Sequence, residues 1–548
     1  MKPCRSAILG LSLVVACTGS STKPNGTGAV GGDRQPIVTG GIGLRPLPSG
    51  GQPGKGGQAG TGGAKSTGGT LATGGGQGTG SGGVTGGGLG TGGTTNPDGA
   101  TATGGFLRSG GIANTGGTAI PDAGSADTTI PIGATDTGAP DLARDTPMAD
   151  TAAPTLPNQT AILEAMRRAN TYFTDLHADP TADIVTDKAR PSNLWTRAIY
   201  YEGLLGLYAI EPDSARKTSY YDYAVKWGAS PAHPWTMANT AADTLTDNAD
   251  NLACGQTYLD LYAIDPKPER IAVLKKNLDA MVAKSTNDVW TWIDAIQMAM
   301  PLFARFGVLQ SDTAYFNEMW ALYSWARNTR GGGLFNQAEG LWWRDWHFTP
   351  GGGTQQKMTS AIHNAIPGSG TDAYILSPNG KNLYWSRGNG WVMAALVRVL
   401  EVLPTTDPHY ASYLADFKTM AAAVLPIQRP DGFWSSSLVD PTHCATLGLA
   451  GQDGPETSGT ALFAYGLAWG LRKKFLDDSY RPALLAAWNG LLTTALQPNG
   501  LLGYVQSTGD RPCTDTTALG ATKLANFDDY GVGAFLLAGS ELFRIAAP

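Results

Sequence analysis

Gly390-Trp391-Val392-Met393-Ala394-Ala395-Leu396-Val397 carries almost no polar side chain on any face of the helix that its spacing predicts. A helix apolar nearly all round is buried on two sides, so this one belongs inside a larger helical assembly. Helical apolar spacing also recurs over 161–178, 194–210, 251–263, 292–306, 312–327, 410–428, 460–475, 482–496 and 531–545, and the quoted stretch opens a further segment over 390–403. Gly- and aromatic-rich connections separate these segments. Three of them share a pattern: Glu339-Gly340-Leu341-Trp342-Trp343, Asp431-Gly432-Phe433-Trp434 and Asn499-Gly500-Leu501-Leu502 each set a turn dipeptide before bulky apolar residues. Short extended pieces therefore recur on one edge of a ring of helices. Repeated helix pairs of this length favour a closed toroid of hairpins over a four-helix bundle; periodicity alone leaves an open superhelix as the alternative.

The helical pattern begins at Thr155. Before it, from Ser21 to Pro154, the chain cycles through Gly, Thr, Ala and Ser, and more than half of its 74 glycines precede residue 150. Such a stretch lacks the apolar area needed to offset the entropy of ordering it and is expected to act as a flexible tether. The first residues read as an export signal: Lys2 and Arg5 are followed by an apolar segment, 7–15, too short to span a bilayer. Val14-Val15-Ala16-Cys17 resembles a bacterial lipobox, in which the cysteine is acylated and becomes the mature N-terminus; the plain alternative is an ordinary cleaved signal with a coincidental Cys17. Thr18 stands where an inner-membrane lipoprotein would carry Asp, which favours the outer membrane or cell surface. The expected division is a signal peptide over 1–17, a linker over 18–154 and one globular domain over 155–548.

Net charge is −6 with no run of Lys or Arg, which argues against a nucleic-acid partner. Once Cys4 leaves with the signal and Cys17 carries lipid, Cys254, Cys444 and Cys513 remain. An odd number in an oxidising compartment suggests one disulfide and one buried thiol, and Cys444 with Cys513, both in loop-like segments flanked by Pro, is the favoured pair.

Polar groups concentrate among aromatics in three places: Asp247-Asn248-Ala249-Asp250-Asn251, Trp290-Thr291-Trp292-Ile293-Asp294 and Tyr384-Trp385-Ser386-Arg387-Gly388-Asn389-Gly390-Trp391. Trp and Tyr faces suit the apolar faces of sugar rings, while Asp, Asn and Arg suit hydroxyls and carboxylates. Each residue also has a plainer role: Asp294, or Asp250 with Asn251, as helix caps, Arg387 as a buried ion-pair partner, Trp385 and Trp391 as core.

Trp292-Ile293-Asp294-Ala295-Ile296-Gln297-Met298, Arg387-Gly388-Asn389-Gly390-Trp391, Glu456-Thr457-Ser458-Gly459-Thr460 and Asp529-Tyr530-Gly531-Val532-Gly533-Ala534-Phe535 together resemble glycoside hydrolase families 88 and 105, the unsaturated glucuronyl and rhamnogalacturonyl hydrolases. The resemblance runs from Thr160 to the C-terminus and implies an all-α (α/α)6 barrel. It implies Asp294 as general acid/base, Asp250 as a second aspartate that holds substrate and water, and Trp385 and Arg387 as contacts to a uronate ring. Trp195, Trp292 and Trp391 are further candidate ring contacts. The implied reaction is hydration of the C4=C5 bond that a polysaccharide lyase leaves on a terminal uronic acid. An acid that keeps its proton near neutrality is required, and the indoles of Trp290 and Trp292 beside Asp294 are expected to raise its pKa above the ordinary value of about 3.9. One position departs from family 105: where those enzymes often place a histidine after two aromatics, Arg344 stands, and a histidine follows only at His347. Arg344 either pairs with a substrate carboxylate or bridges to Asp345 as scaffolding.

Three other readings remain. An inverting glycosidase would use Asp250 and Asp294 on a saturated sugar. A helical-toroid lyase or epimerase is disfavoured, since such epimerases resemble one another in relying on paired histidines and none of the six here lies in a paired motif. A glycan-binding lipoprotein would keep the aromatics but have no use for a tuned Asp294. No His-Glu-x-x-His, Cys-x-x-Cys or calcium-loop spacing occurs, so neither a metal nor another cofactor is expected. The expected partner is an oligosaccharide, with the membrane reached only through the lipid.

Overall fold

A computed structural model describes residues 156–548 apart from 242–243, 285–286, 351–375, 450 and 516, together with two short antiparallel strands, Ala7–Leu9 and Ser12–Val14. Cys17 and the expected linker over 18–154 lie outside the described residues.

Among the described residues twelve helices of ten residues or more follow one another: α1 Gln159–Leu176, α2 Trp195–Ile210, α3 Ser214–Gly228, α4 Cys254–Ile264, α5 Glu269–Val282, α6 Asp294–Gln310, α7 Thr313–Asn328, α8 Ser386–Val402, α9 Tyr410–Val424, α10 Thr457–Lys473, α11 Arg481–Gly490 and α12 Asp529–Ile545. Helices α2, α4, α6, α8, α10 and α12 pack each on the next, and α12 returns to α2, so they form a closed inner ring. Each inner helix also packs on one outer helix: α3, α5, α7, α9, α11 and, for α12, α1. The architecture is the all-α (α/α)6 barrel, and the open superhelix is excluded.

Burial follows these positions. Along α8 nearly every residue from Ser386 to Leu400 is buried, whereas α9 buries only Tyr413, Asp416, Phe417, Met420, Ala421 and Val424. Pro301 sits inside α6 and has no N–H, so the carbonyl of Gln297 loses its helical partner. The Nε2 of Gln256, on α4, fills the vacancy at 2.7 Å. The same amide's oxygen accepts from Arg398 Nε of α8 at 2.7 Å, tying three inner helices together.

The recurring turn dipeptides have a common structural meaning. Gly340, Gly432 and Gly500 all have positive φ, at 67°, 86° and 97°. Each turn follows one outer helix and seats its glycine against the backbone of the next: Gly340 on Thr419 of α9, Gly432 on Ala486 of α11 and Gly500 on Arg168 of α1. A side chain at Gly432 would overlap the Ala486 carbonyl, so backbone angle and space both demand glycine. The apolar residues after each turn pair briefly as extended chain, in Phe335–Asn336 with Leu341–Trp342 and in the isolated bridges Trp434 to Glu456 and Leu496 to Leu502.

Candidate active site

Connections from an inner helix to its outer partner are no longer than seven residues, whereas those from an outer helix to the next inner one run from eleven upward. Short connections make neighbours antiparallel, so all six inner helices point the same way and the long loops crowd the rim that holds their N-termini. Loops held by a rigid scaffold are where binding groups concentrate. Six converging helix N-termini also give this rim a positive potential suited to an anion.

Asp294 is the first residue of α6 and is 8% exposed. No side chain caps that helix, so the plain capping role does not apply. The Trp292–Ile293 segment lies against Arg344–Asp345: Trp292 bridges Asp345, and the Ile293 N–H donates to the Arg344 carbonyl at 2.9 Å. That pairing brings Arg344 Nε to 3.5 Å from Asp294 Oδ2. Burial pushes the Asp294 carboxyl above its ordinary range, against the opposing pull of Arg344 and Arg387. Asp250 lies in the short helix Ala249–Leu252 that packs on α6, where the cap is Asn248 rather than Asp250. Burial and the nearby Asp294 push Asp250 up to about 7, with Arg344 opposing. Two buried carboxyls beside a fixed cation, one of them raised further by the charge of the other, can divide acid and base duties between them.

The other residues singled out from sequence fall into two groups. Trp195, Trp292, Arg344 and His347 are half-buried. Trp385, Arg387 and Trp391 are at most 1% exposed and form its wall. The Arg387 guanidinium donates to the Gln506 carbonyl at 2.6 Å and the Ser507 carbonyl at 2.8 Å, between the rings of Trp385 and Tyr530 at 4.3 and 4.7 Å. Its hydrogen-bond partners are backbone carbonyls and hydroxyls rather than a carboxylate. Trp385 Nε1 donates to Gln506 Oε1 at 2.8 Å. Trp391 meets the edge of Trp195 at 6.3 Å, and Trp195 stacks on Tyr530 at 5.7 Å.

Gln506 escapes sequence reasoning. It joins Trp385, Arg387, Tyr530 and the Glu456 carboxylate, yet stands alone in a loop with no motif around it. Its loop is clipped to the one before α10 by the disulfide Cys444–Cys513, with Cα atoms 5.5 Å apart; Cys254 is a buried free thiol. Among the described residues no group of three or more His, Cys, Asp or Glu is arranged to hold a metal ion.

A barrel whose rim sets raised carboxyls among aromatics and cations suits a carbohydrate-cleaving enzyme. Glycosyl Hydrolase Family 88 matches residues 166–363 and 369–546, and the chain belongs to that family; it is a glycoside hydrolase. It is 28% identical over 367 residues to an unsaturated 3S-rhamnoglycuronyl hydrolase of Formosa agariphila, covering 64% of this chain and 84% of that one. The solved structure of a family 88 glycosyl hydrolase from Bacteroides vulgatus aligns with a TM-score of 0.57 and 29% identity, over 71% of this chain and 99% of the other. A structure described as a polysaccharide lyase aligns with a TM-score of 0.57 and 29% identity, over 70% of this chain and 97% of its own.

Proposed function

We propose that this enzyme removes a terminal 4,5-unsaturated uronic acid from lyase-generated oligosaccharides, with Asp294 as proton donor. The C4=C5 bond is an enol ether. Protonation at C4 by Asp294 leaves an oxocarbenium ion at C5, and water held by Asp250 adds there as Asp294 takes back a proton. The resulting hemiketal opens and releases the next sugar. The observation that carries this reading is the buried Asp294 carboxyl, raised above its ordinary range with Asp250 and Arg344 beside it. The Arg344 guanidinium and the converging helix N-termini suit the uronate carboxylate.

Likeness to a rhamnoglycuronyl hydrolase favours rhamnose as the leaving sugar, as in rhamnogalacturonan-like polymers. The Val14–Cys17 motif supports export and lipid anchoring at the outer membrane or cell surface. The test is incubation with unsaturated disaccharides cut by lyases from pectin, ulvan-type and glycosaminoglycan polymers, following the ultraviolet absorbance of the conjugated enoate. Absorbance is expected to fall fastest with a rhamnose neighbour. Activity confined to saturated uronides would overturn the proposal.

A further inference from the structure

Asp345 has its own geometry within the rim. Only 6% exposed, it accepts from Arg344 Nη1 at 2.8 Å, from His347 Nδ1 at 2.7 Å and from the His347 backbone N–H at 2.9 Å. Its backbone is the partner of Trp292 in the bridge that fixes the approach to Asp294. One carboxylate thus holds both Arg344 and His347, and Arg344 in turn faces Asp294 at 3.5 Å.

We propose that Asp345 is a positioning residue: it shares the Arg344 guanidinium so that Arg344 faces Asp294 without claiming its proton, and it fixes the His347 ring with Nδ1 inward and Nε2 free for substrate. This rests on the reading of Asp294 as the proton donor. The physical reason is a division of charge. A guanidinium 3.5 Å from a carboxyl would favour the ionised form, which is useless as an acid at neutral pH. With a second carboxylate on the same guanidinium, that pull is partly spent elsewhere. Charges facing Asp294 come from every element around it: Arg344 and Asp345 from the extended segment, Arg387 from α8 and Asp250 from the short helix. Burial would raise Asp345 itself, but the hydrogen bond from His347 and the charge of Arg344 bring it down to about 2, so it stays ionised throughout the working range.

The signs differ between the two partners. Removing the Asp345 charge leaves Arg344 to Asp294 alone, lowers the Asp294 pKa and moves the alkaline limb of the kcat/KM profile to lower pH, by on the order of one unit. Removing Arg344 moves that limb to higher pH. The experiment compares wild type, Asp345→Asn, Arg344→Gln and the double variant on an unsaturated disaccharide, with circular dichroism as a check on folding. Opposite shifts are expected, with the double variant close to Arg344→Gln because Asp345 acts through Arg344. Uniform loss of rate with an unmoved limb, or shifts of the same sign, would overturn the proposal. Should Asp345→Asn fail to fold, an alkaline limb that does not rise in Arg344→Gln overturns it alone. Titration of 13C-labelled aspartate carboxyls, with the Asp294 signal assigned by its loss in Asp294→Asn, reads the same shifts without turnover. A wild type inactive on unsaturated sugars would therefore sink the functional reading and still leave this inference decided.

Discussion

Arg344 Nε and Asp294 Oδ2 face each other at 3.5 Å, both buried, and neither makes a hydrogen bond to the protein. The guanidinium favours the ionised carboxylate, whereas burial favours the protonated one. Burial outweighs the cation, so the carboxyl stays above its ordinary range although the pair is within ion-pair distance.

Asp294→Asn keeps the shape of the side chain and removes its acidity. Turnover of unsaturated disaccharide is expected to fall by about 10²–10⁴-fold, the usual contribution of a positioned acid or base. Calorimetry should still show substrate binding and an unfolding midpoint at or above that of wild type. Full activity in this variant would remove Asp294 from the mechanism.

Asp250 is expected to make stability fall with pH. Its folded pKa, about 7, lies above the unfolded value of about 3.9, so between those limits the native state binds more protons than the unfolded one. The native state therefore loses stability as pH climbs from 4 to 7, by on the order of a few kcal/mol, and no further above 7. Asp250→Asn should unfold at higher temperature than wild type at pH 8 and at a similar one at pH 4, while losing activity. An equal effect at both values would show that Asp250 titrates normally.

Arg387 and Arg344 should fail in different ways. Arg387→Ala strips the Ser507 carbonyl of its donor and leaves the Gln506 carbonyl only the Tyr530 hydroxyl, and is expected to cost about 1–3 kcal/mol of stability along with activity. Arg344→Ala leaves Asp345 its bonds from His347, so chemical denaturation should show a smaller loss, with the effect concentrated in KM and in the pH profile.

Gly432→Ala carries the prediction for the scaffold. Positive φ and overlap with the Ala486 carbonyl act together, and the expected loss is about 3 kcal/mol or more by urea denaturation. An alanine tolerated there would mean that the turn and α11 separate easily.

Where helix starts differ from the spacing, glycine is the common cause. The spacing places helix starts at 390, 460 and 531, but the helices begin at Ser386, Thr457 and Asp529. Each true first turn contains glycine, at Gly388, Gly459 and Gly531, and glycine normally argues against a helix. Inner helices need it for close approach: a Cβ on Gly390 would come within 2.8 Å of Leu462. Outer helices α3 and α5 escape the sequence reading because Ser214–Gly228 and Glu269–Val282 intersperse polar with apolar residues and bury a single stripe. Among the candidate site residues, Asp250, Asp294 and Arg344 stand out in the sequence because carboxylates and a cation beside tryptophans are unusual, and the structure brings the three together. That Arg387, Trp385 and Trp391 sit in the wall was not visible, because depth depends on how distant loops fold over a rim. Gln506 is the extreme case, since its importance comes entirely from partners far away in sequence.

The clasp between α1 and α12 bears on how the enzyme is made. The backbone N–H of Gln159 bonds the Ala547 carbonyl at 3.0 Å, and its side-chain amide reaches the Phe543 carbonyl at 3.1 Å. A ribosome releasing this domain exposes α1 almost four hundred residues before its mate exists. The part of α1 that packs on α2 can be covered early, but the part that faces α12 must stay uncovered through nearly all of synthesis, so a chaperone's protection matters most for the domain's first helix.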